Sequence, residues 1–318
     1  MRGHPHPPLN VFLLGGLLAA MGDIREARFH AVYIAFSLIA GLSMLALARK
    51  YSPHPLLATF LFLTVPAFVI NGSSLETDVP FLAFWMACVA SLVYGFASLA
   101  AVAGALACLT AYQGVFLTPV LAVYLWRERR DDLRGWLAIV AGPLVLAAWQ
   151  LFERATGGQA PAGVLAGYLS TYGLVAVVKK LRSATSLVMH LGWMMSPLIV
   201  WSVRGKRWQY IVAGVFALAA AIYDPNPLFW ACIATSVFLL TLFAGTDFLG
   251  AWIAIFLAAA LAIFYAGAAR YLLPLSAPVA ILLSRRVSQS VLVRAGIVLQ
   301  LALGLALSVA NFQHWARS

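Results

Sequence analysis

The chain has 318 residues, of which 63% are hydrophobic and only 10% are charged. A soluble globular domain carries roughly 25% charged residues, so the composition excludes one and defines a polytopic membrane protein. The net charge of +11 does not point to a nucleic-acid partner, because basic residues in a membrane protein mark its cytoplasmic loops.

The first stretch is GHPHPPLNVF, residues 3–12, with two histidines, three prolines and no acid. A signal peptide does not fit it. Prolines interrupt the n-region after Arg2, and no small-residue cleavage site closes the apolar run. The apolar segment 8–21 is too short for a span, which needs about 20 residues, and is expected as an interfacial or re-entrant helix. Spans are expected at about 31–48, 55–71, 80–97, 98–112, 113–126, 135–152, 185–203, 209–223, 228–244, 249–267, 272–284 and 292–311. Backbone groups in lipid must be paired within their own segment, so apolar spans of this kind are helices. The expected fold is all-α, with about twelve transmembrane helices. Residues 1–318 form a single membrane domain, with 1–30 as an outer-face interfacial segment and 31–311 as the bundle.

Charge sets the orientation. The loops RKYSPH (49–54), RERRDDLR (127–134), RGKR (204–207) and RRVSQSVLVR (285–294) hold twelve of the 21 basic residues. The opposite short loops, NGSSLETDVP and DPNP, hold none. The positive-inside rule therefore places both termini and the loops at 71–79, 153–184, 224–227 and 268–273 outside a cytoplasmic (inner) membrane. The segment 161–178 is long enough to span. An interfacial helix near 161–182, ending in Lys179, Lys180 and Arg182, is preferred, because Gly, Ser, Thr and Tyr dilute its apolarity and a span there would erase the charge bias. Cys88, Cys108 and Cys232 sit in apolar runs and read as packing residues. No metal-ligand spacing or disulfide framework is visible, no repeat of 20–50 residues stands out, and no cofactor is expected.

Charges inside membrane segments are expensive and default to functional readings. The spans are nearly free of them. His190 is the main ionisable residue in one and reads as a neutral imidazole bonded to a neighbouring helix. The acids gather at outer helix ends instead. NGSSLETDVPFLAFW supplies Glu76 and Asp78. Asn71-Gly72 signals a turn, and Asp78 reads both as the cap of a helix starting near Pro80 and as a catalytic carboxylate. Asn71-Gly72-Ser73 also matches the weak glycosylation triplet. AGAARYLLPLSAP places Arg270 and Tyr271 at an outer end. They read either as a snorkelling cation beside an interfacial aromatic or as a phosphate clamp, since guanidinium binds phosphate through two parallel hydrogen bonds. GDIREARFHAVY gives Asp23, Arg25, Glu26, Arg28 and His30, mostly a solvated or headgroup-facing set. Asp23 and Glu26 have capping-box spacing, and Arg28 lies nearest the membrane.

In order along the chain, four segments resemble the bacterial protein-mannosyltransferase-like glycosyltransferases, with the lipid A aminoarabinose transferases and the RgtA/B/C/D-like enzymes among them. HPPLNVFLLGGLLAAMGDIREARFHAVYIAFSLIAGLSMLALARKY is similar to the family's HPPL stretch and following span. SLETDVPFLAFWMACVASLVYG resembles its second outer loop, where Asp-x-Pro enters a span. ALACLTAYQGVFLTPVLAVYLWRER resembles its Leu-Thr-Lys-Gly segment, and RYLLPLSAPVAILLSRR its Arg-Tyr-Leu-Leu-Pro span. The resemblance covers most of residues 3–290.

It implies a GT-C fold and inverting transfer of a sugar from a polyprenyl-phosphate-linked donor to a lipid, glycan or protein acceptor at the outer face. Membrane lipids are further partners. On this reading Asp78 and Glu76 are the catalytic carboxylates, Arg270 with Tyr271 holds phosphate, and His4, His6 and Arg28 line the outer cavity. Two departures follow from the same comparison. The family carries one more span and an Asp-Glu loop ahead of HPPL, and that loop, with the principal base, is expected to be missing here. The family lysine is replaced by Tyr112 and Gln113 in TAYQG. The alternatives are a non-catalytic relative that binds lipid-linked sugar and a transporter or flippase of lipid or solute. An ion-coupled carrier would need intramembrane acids, and no span centre has one.

Overall fold

The computed structural model describes residues 6–23, 26–158, 160–245, 247–287 and 290–315, with the backbone alone for 164–174 and 312–315. Among these residues the chain is entirely helical. The elements are α1 (Leu9–Met21), α2 (Glu26–Tyr51), α3 (Pro55–Leu63), α4 (Pro66–Asn71), α5 (Asp78–Val93), α6 (Ala97–Thr110), α7 (Leu117–Glu128) and α8 (Leu133–Gly157). They continue with α9 (Gly163–Trp193), α10 (Pro197–Trp201), α11 (Arg207–Tyr223), α12 (Pro227–Phe243), α13 (Phe248–Ile263), α14 (Leu273–Ser284) and α15 (Val291–Trp315). Short 3-10 turns at Tyr112–Phe116 and Ala269–Leu272 lead into α7 and α14.

Three helices among the described residues are long and apolar enough to cross a membrane: Glu26–Tyr51, Leu133–Gly157 and Val291–Asn311. They contain the expected spans 31–48, 135–152 and 292–311. The remaining expected spans fall in shorter helices, except 185–203, which is divided between the end of the 31-residue α9 and the short α10, so a count of about twelve is not confirmed. Two differences have a clear cause. The stretch 55–71 is split, because Pro66 has no N–H to continue α3 and starts α4 instead. The helix expected near 161–182 does not end there: α9 runs unbroken from Gly163 to Trp193. Gly, Ser, Thr and Tyr lower apolarity without breaking a helix, and the break comes only before Pro197.

The helices divide into two compact units, residues 1–44 with 71–179 and residues 45–70 with 180–318. In the first unit α6 packs against α5 and α8. A methyl added to Gly142 would lie 2.8 Å from Cys108 Sγ and 2.9 Å from Gly104 O, so small residues set the closeness of α6 and α8. Pro143, inside α8, cannot donate to the Ile139 carbonyl. The Thr118 hydroxyl donates to it instead, at 2.8 Å. All three cysteines are buried and unpaired to one another, as expected of packing residues.

In the second unit α14 is the core: all twelve of its residues are buried, and it packs against α3 and α13. One polar side chain stitches the interior. Gln300 of α15, 2% exposed, donates to Leu61 O and Thr64 Oγ1, both at 3.1 Å, and accepts from Ser196 N at 2.8 Å. These groups flank the breaks after α3 and before α10, where the helical ladder leaves backbone groups without intrahelical partners. At the basic end of α14, Arg285 pairs with Asp247 at 2.6 Å and donates to Tyr51 O, while Asp247 caps α13 through Leu249 N at 3.0 Å.

Candidate functional site

The acidic candidates lie in the first unit, on the loop between α4 and α5. The turn at Asn71-Gly72 forms as expected, with Ser74 N donating to Asn71 O at 2.9 Å. Three loop carbonyls each take a side-chain donor from α1 or α2. Ser37 Oγ donates to Gly72 O at 2.5 Å, His30 Nδ1 lies 2.5 Å from Ser73 O, and Asn10 Nδ2 donates to Leu75 O at 3.0 Å. The carbonyl partner fixes the proton of His30 on Nδ1. Tyr33, fully buried, donates to Asn10 Oδ1 at 2.5 Å and holds that amide in place. Ser74 Oγ accepts from Glu76 N at 3.2 Å.

This scaffold presents Glu76 exposed and Asp78 partly covered. Asp78 is not the cap. Helix α5 starts at Asp78 itself, two residues before Pro80, and Thr77 is its N-cap. An acid in the first turn suits the positive end of the helix dipole. Burial nevertheless dominates and raises the Asp78 carboxyl from its ordinary 3.8 to about 6. A carboxylate with that affinity for protons is suited to take and return one near neutral pH.

Of the other candidates in this unit, His6 and Arg28 are exposed, and His4 lies outside the described residues. His30 departs from the solvated face expected of GDIREARFHAVY: it grips the loop, with Glu26 3.6 Å from its other nitrogen. The residues not anticipated are therefore Asn10, Tyr33 and Ser37, with His30 in a new role. A signal was present. Glu26, His30, Tyr33 and Ser37 recur at i, i+4, i+7 and i+11, one polar stripe along the first half of α2. At TAYQG, Tyr112 OH accepts from Gln150 Nε2 at 3.2 Å, and Gln150 Oε1 accepts from Ala162 N at 3.0 Å.

Arg270 and Tyr271 belong to the second unit. Their 3-10 turn follows a segment held by a second polar stripe, on α9. Lys180 Nζ and Ser183 Oγ both donate to Phe264 O, at 2.6 and 3.1 Å. Ser186 Oγ donates to Gly267 O at 3.1 Å, and His190 hydrogen-bonds the Gly267 backbone. His190 is thus bonded to the chain after α13, at a loop. The Tyr271 ring stacks on Phe264 at 4.4 Å between centroids and 9° between planes. The Arg270 guanidinium lies 5.6 Å from the Tyr271 ring centre, and Lys180 Nζ lies 4.8 Å over Tyr265. The result is a turn that carries Arg270 beside a stacked aromatic pair, with Lys180 of α9 bonded to the segment before it.

Gly267 is required by this grip. An added methyl would stand 2.5 Å from Ser186 Oγ and 3.0 Å from Ser183 O. Gly267→Ala is expected to destabilise the protein by about 1–3 kcal/mol, the usual cost of overpacking. Thermal melting in detergent checks this, and an unchanged melting temperature would contradict it.

No family model, characterised protein sequence or solved structure matches this chain. The class that the fold defines is an all-helical protein carrying helices long and apolar enough to cross a membrane.

Proposed function

We propose that the protein is a membrane glycosyltransferase that moves a sugar from a polyprenyl-phosphate donor to a lipid, glycan or protein acceptor at the outer face of the cytoplasmic membrane. The observation that carries this reading is Asp78, held at the start of α5 by a loop that α1 and α2 clamp, with its proton affinity raised to about 6. The ordered resemblance of four segments supports the same reading. Asp78 accepts the proton of the acceptor hydroxyl as that oxygen attacks the anomeric carbon. The bond from that carbon to the phosphate oxygen breaks, and polyprenyl phosphate leaves with the electron pair. Glu76 is the second, exposed carboxylate of the loop. Arg270, in the second unit, has the chemistry of a phosphate contact, charge-assisted and able to make two parallel hydrogen bonds.

A second reading, a transporter or flippase of lipid or solute, is favoured by one observation. Two apolar stretches of the second unit are broken, at Thr64–Pro66 and Met194–Pro197, and discontinuous helices line substrate paths in transporters. Full-length protein in sealed liposomes separates the two. Release of polyprenyl phosphate from a panel of polyprenyl-phosphate hexose and pentose donors supports the transferase. Movement of a labelled lipid or solute across the bilayer with no donor cleavage supports the transporter and sinks the transferase.

A further inference from the structure

We infer that Lys180, with Arg270, holds a phosphate-bearing ligand at the Phe264–Tyr265–Tyr271 edge of the second unit. This deepens the reading of Arg270 as a phosphate contact and rests on that reading, but it does not depend on sugar transfer.

The position of Lys180 carries the inference. Its ammonium is partly covered, yet among the described residues no carboxylate pairs with it. Its partners are a carbonyl oxygen, Phe264 O at 2.6 Å, and the face of Tyr265 at 4.8 Å. One of three ammonium protons goes to the carbonyl, which leaves donors for a further acceptor. Burial without a counter-charge lowers its proton affinity, and a bound anion removes that penalty. The carbonyl that Lys180 holds belongs to Phe264, whose ring stacks on Tyr271, next to Arg270. Lys180 and Arg270 are thus joined through one stacked aromatic pair. Ser183, Ser186 and His190 bind the same segment, so the geometry is set before any ligand arrives. Lys180 on α9 and Arg270 on the turn each offer charged donors to phosphate oxygens, and the aromatic edge suits an apolar or sugar substituent beside them. That chemistry is shared by a lipid headgroup phosphate and by free phosphate.

The test uses the full chain in alkyl-maltoside detergent, which carries no phosphate, titrated in one arm with polyprenyl phosphate and in another with inorganic phosphate. Phosphatidylglycerol is the titrant in a third. Lys180→Gln keeps a donor for Phe264 O but removes the charge. It is expected to weaken binding by about tenfold to a hundredfold, the scale of one charged hydrogen bond, while Lys180→Arg binds close to wild type. Dependence on Lys180 in any arm supports the inference, and the arm names the source of the phosphate. Wild-type protein that binds in no arm, or Lys180→Gln that binds like wild type, overturns it. Should Lys180→Gln not fold, acetylation of the wild-type Lys180 amine decides. Protection by the bound phosphate supports the inference, and unchanged labelling overturns it. Binding through Lys180 without donor cleavage leaves this inference standing and removes the transferase reading.

Discussion

Replacing Asp78 with asparagine is expected to cut sugar transfer by about a hundredfold or more while making the protein more stable at pH 7. The first effect is the usual worth of a positioned general base. The second follows from linkage. The Asp78 carboxyl binds its proton more tightly folded, at about 6, than its ordinary 3.8. The stabilisation it contributes is present below about pH 4 and is lost as pH rises through 6. A shift of that size corresponds to about 3 kcal/mol of penalty at pH 7, at 1.36 kcal/mol per unit. Asparagine removes the penalty. The value of about 6 already includes whatever the charge gains at the helix start, so the expected gain is about 3 kcal/mol. A structural acid would behave in the opposite sense, losing stability with no special loss of rate. Melting curves of both proteins at pH 4.5 and pH 7, set beside donor-cleavage rates, read the two effects separately. The gain in melting temperature is expected to be clearly larger at pH 7 than at pH 4.5. A lower melting temperature for Asp78→Asn at pH 7 contradicts the linkage argument.

The second large effect falls on stability alone. Gln300→Leu is expected to destabilise the protein by about 2–4 kcal/mol, because an orphaned buried polar group costs about 1–3 kcal/mol. Ser196 N loses its acceptor, and Leu61 O loses its closer donor at 3.1 Å and keeps only the Thr64 hydroxyl at 3.4 Å. Thr64 is spared, since its hydroxyl still donates to Phe60 O at 2.8 Å. Leucine brings more apolar surface than the amide it replaces, which offsets part of the loss, but it cannot bond either helix break. Thermal or denaturant unfolding in detergent measures the change. A Gln300→Leu protein as stable as wild type would show that the two breaks find other partners.

Much of the helix layout was legible in the sequence. Helices were expected at 209–223 and 228–244 and are found at Arg207–Tyr223 and Pro227–Phe243, both shorter than a spanning length, because DPNP between them combines turn residues with a proline at the first helical position. Hydropathy failed where it averages over a break. Pro66 and Pro197 were visible, but a run of apolar residues on both sides hid them. The groups that make those breaks tolerable sit on Gln300, more than a hundred residues away in sequence. The continuous α9 was misdivided for the opposite reason, a change in polarity with no helix-breaking residue. Asp78 and Arg270 stood out because charge is rare in this chain. The residues that support them did not, since serine, tyrosine and asparagine scattered in an apolar helix look unremarkable until they are read at the helical period. The stripes on α2 and α9 were both readable in that way.

The most direct test of the central claim is the pH dependence of donor cleavage by the full chain in nanodiscs, using polyprenyl-phosphate sugar donors and wild-type and Asp78→Asn proteins in parallel. If Asp78 is the proton acceptor, wild-type cleavage rises through pH 6 to a plateau above it. Asp78→Asn then shows a flat residual rate at least about a hundredfold lower. Cleavage by Asp78→Asn at the wild-type rate, or no cleavage of any donor by the wild-type chain, would contradict the account.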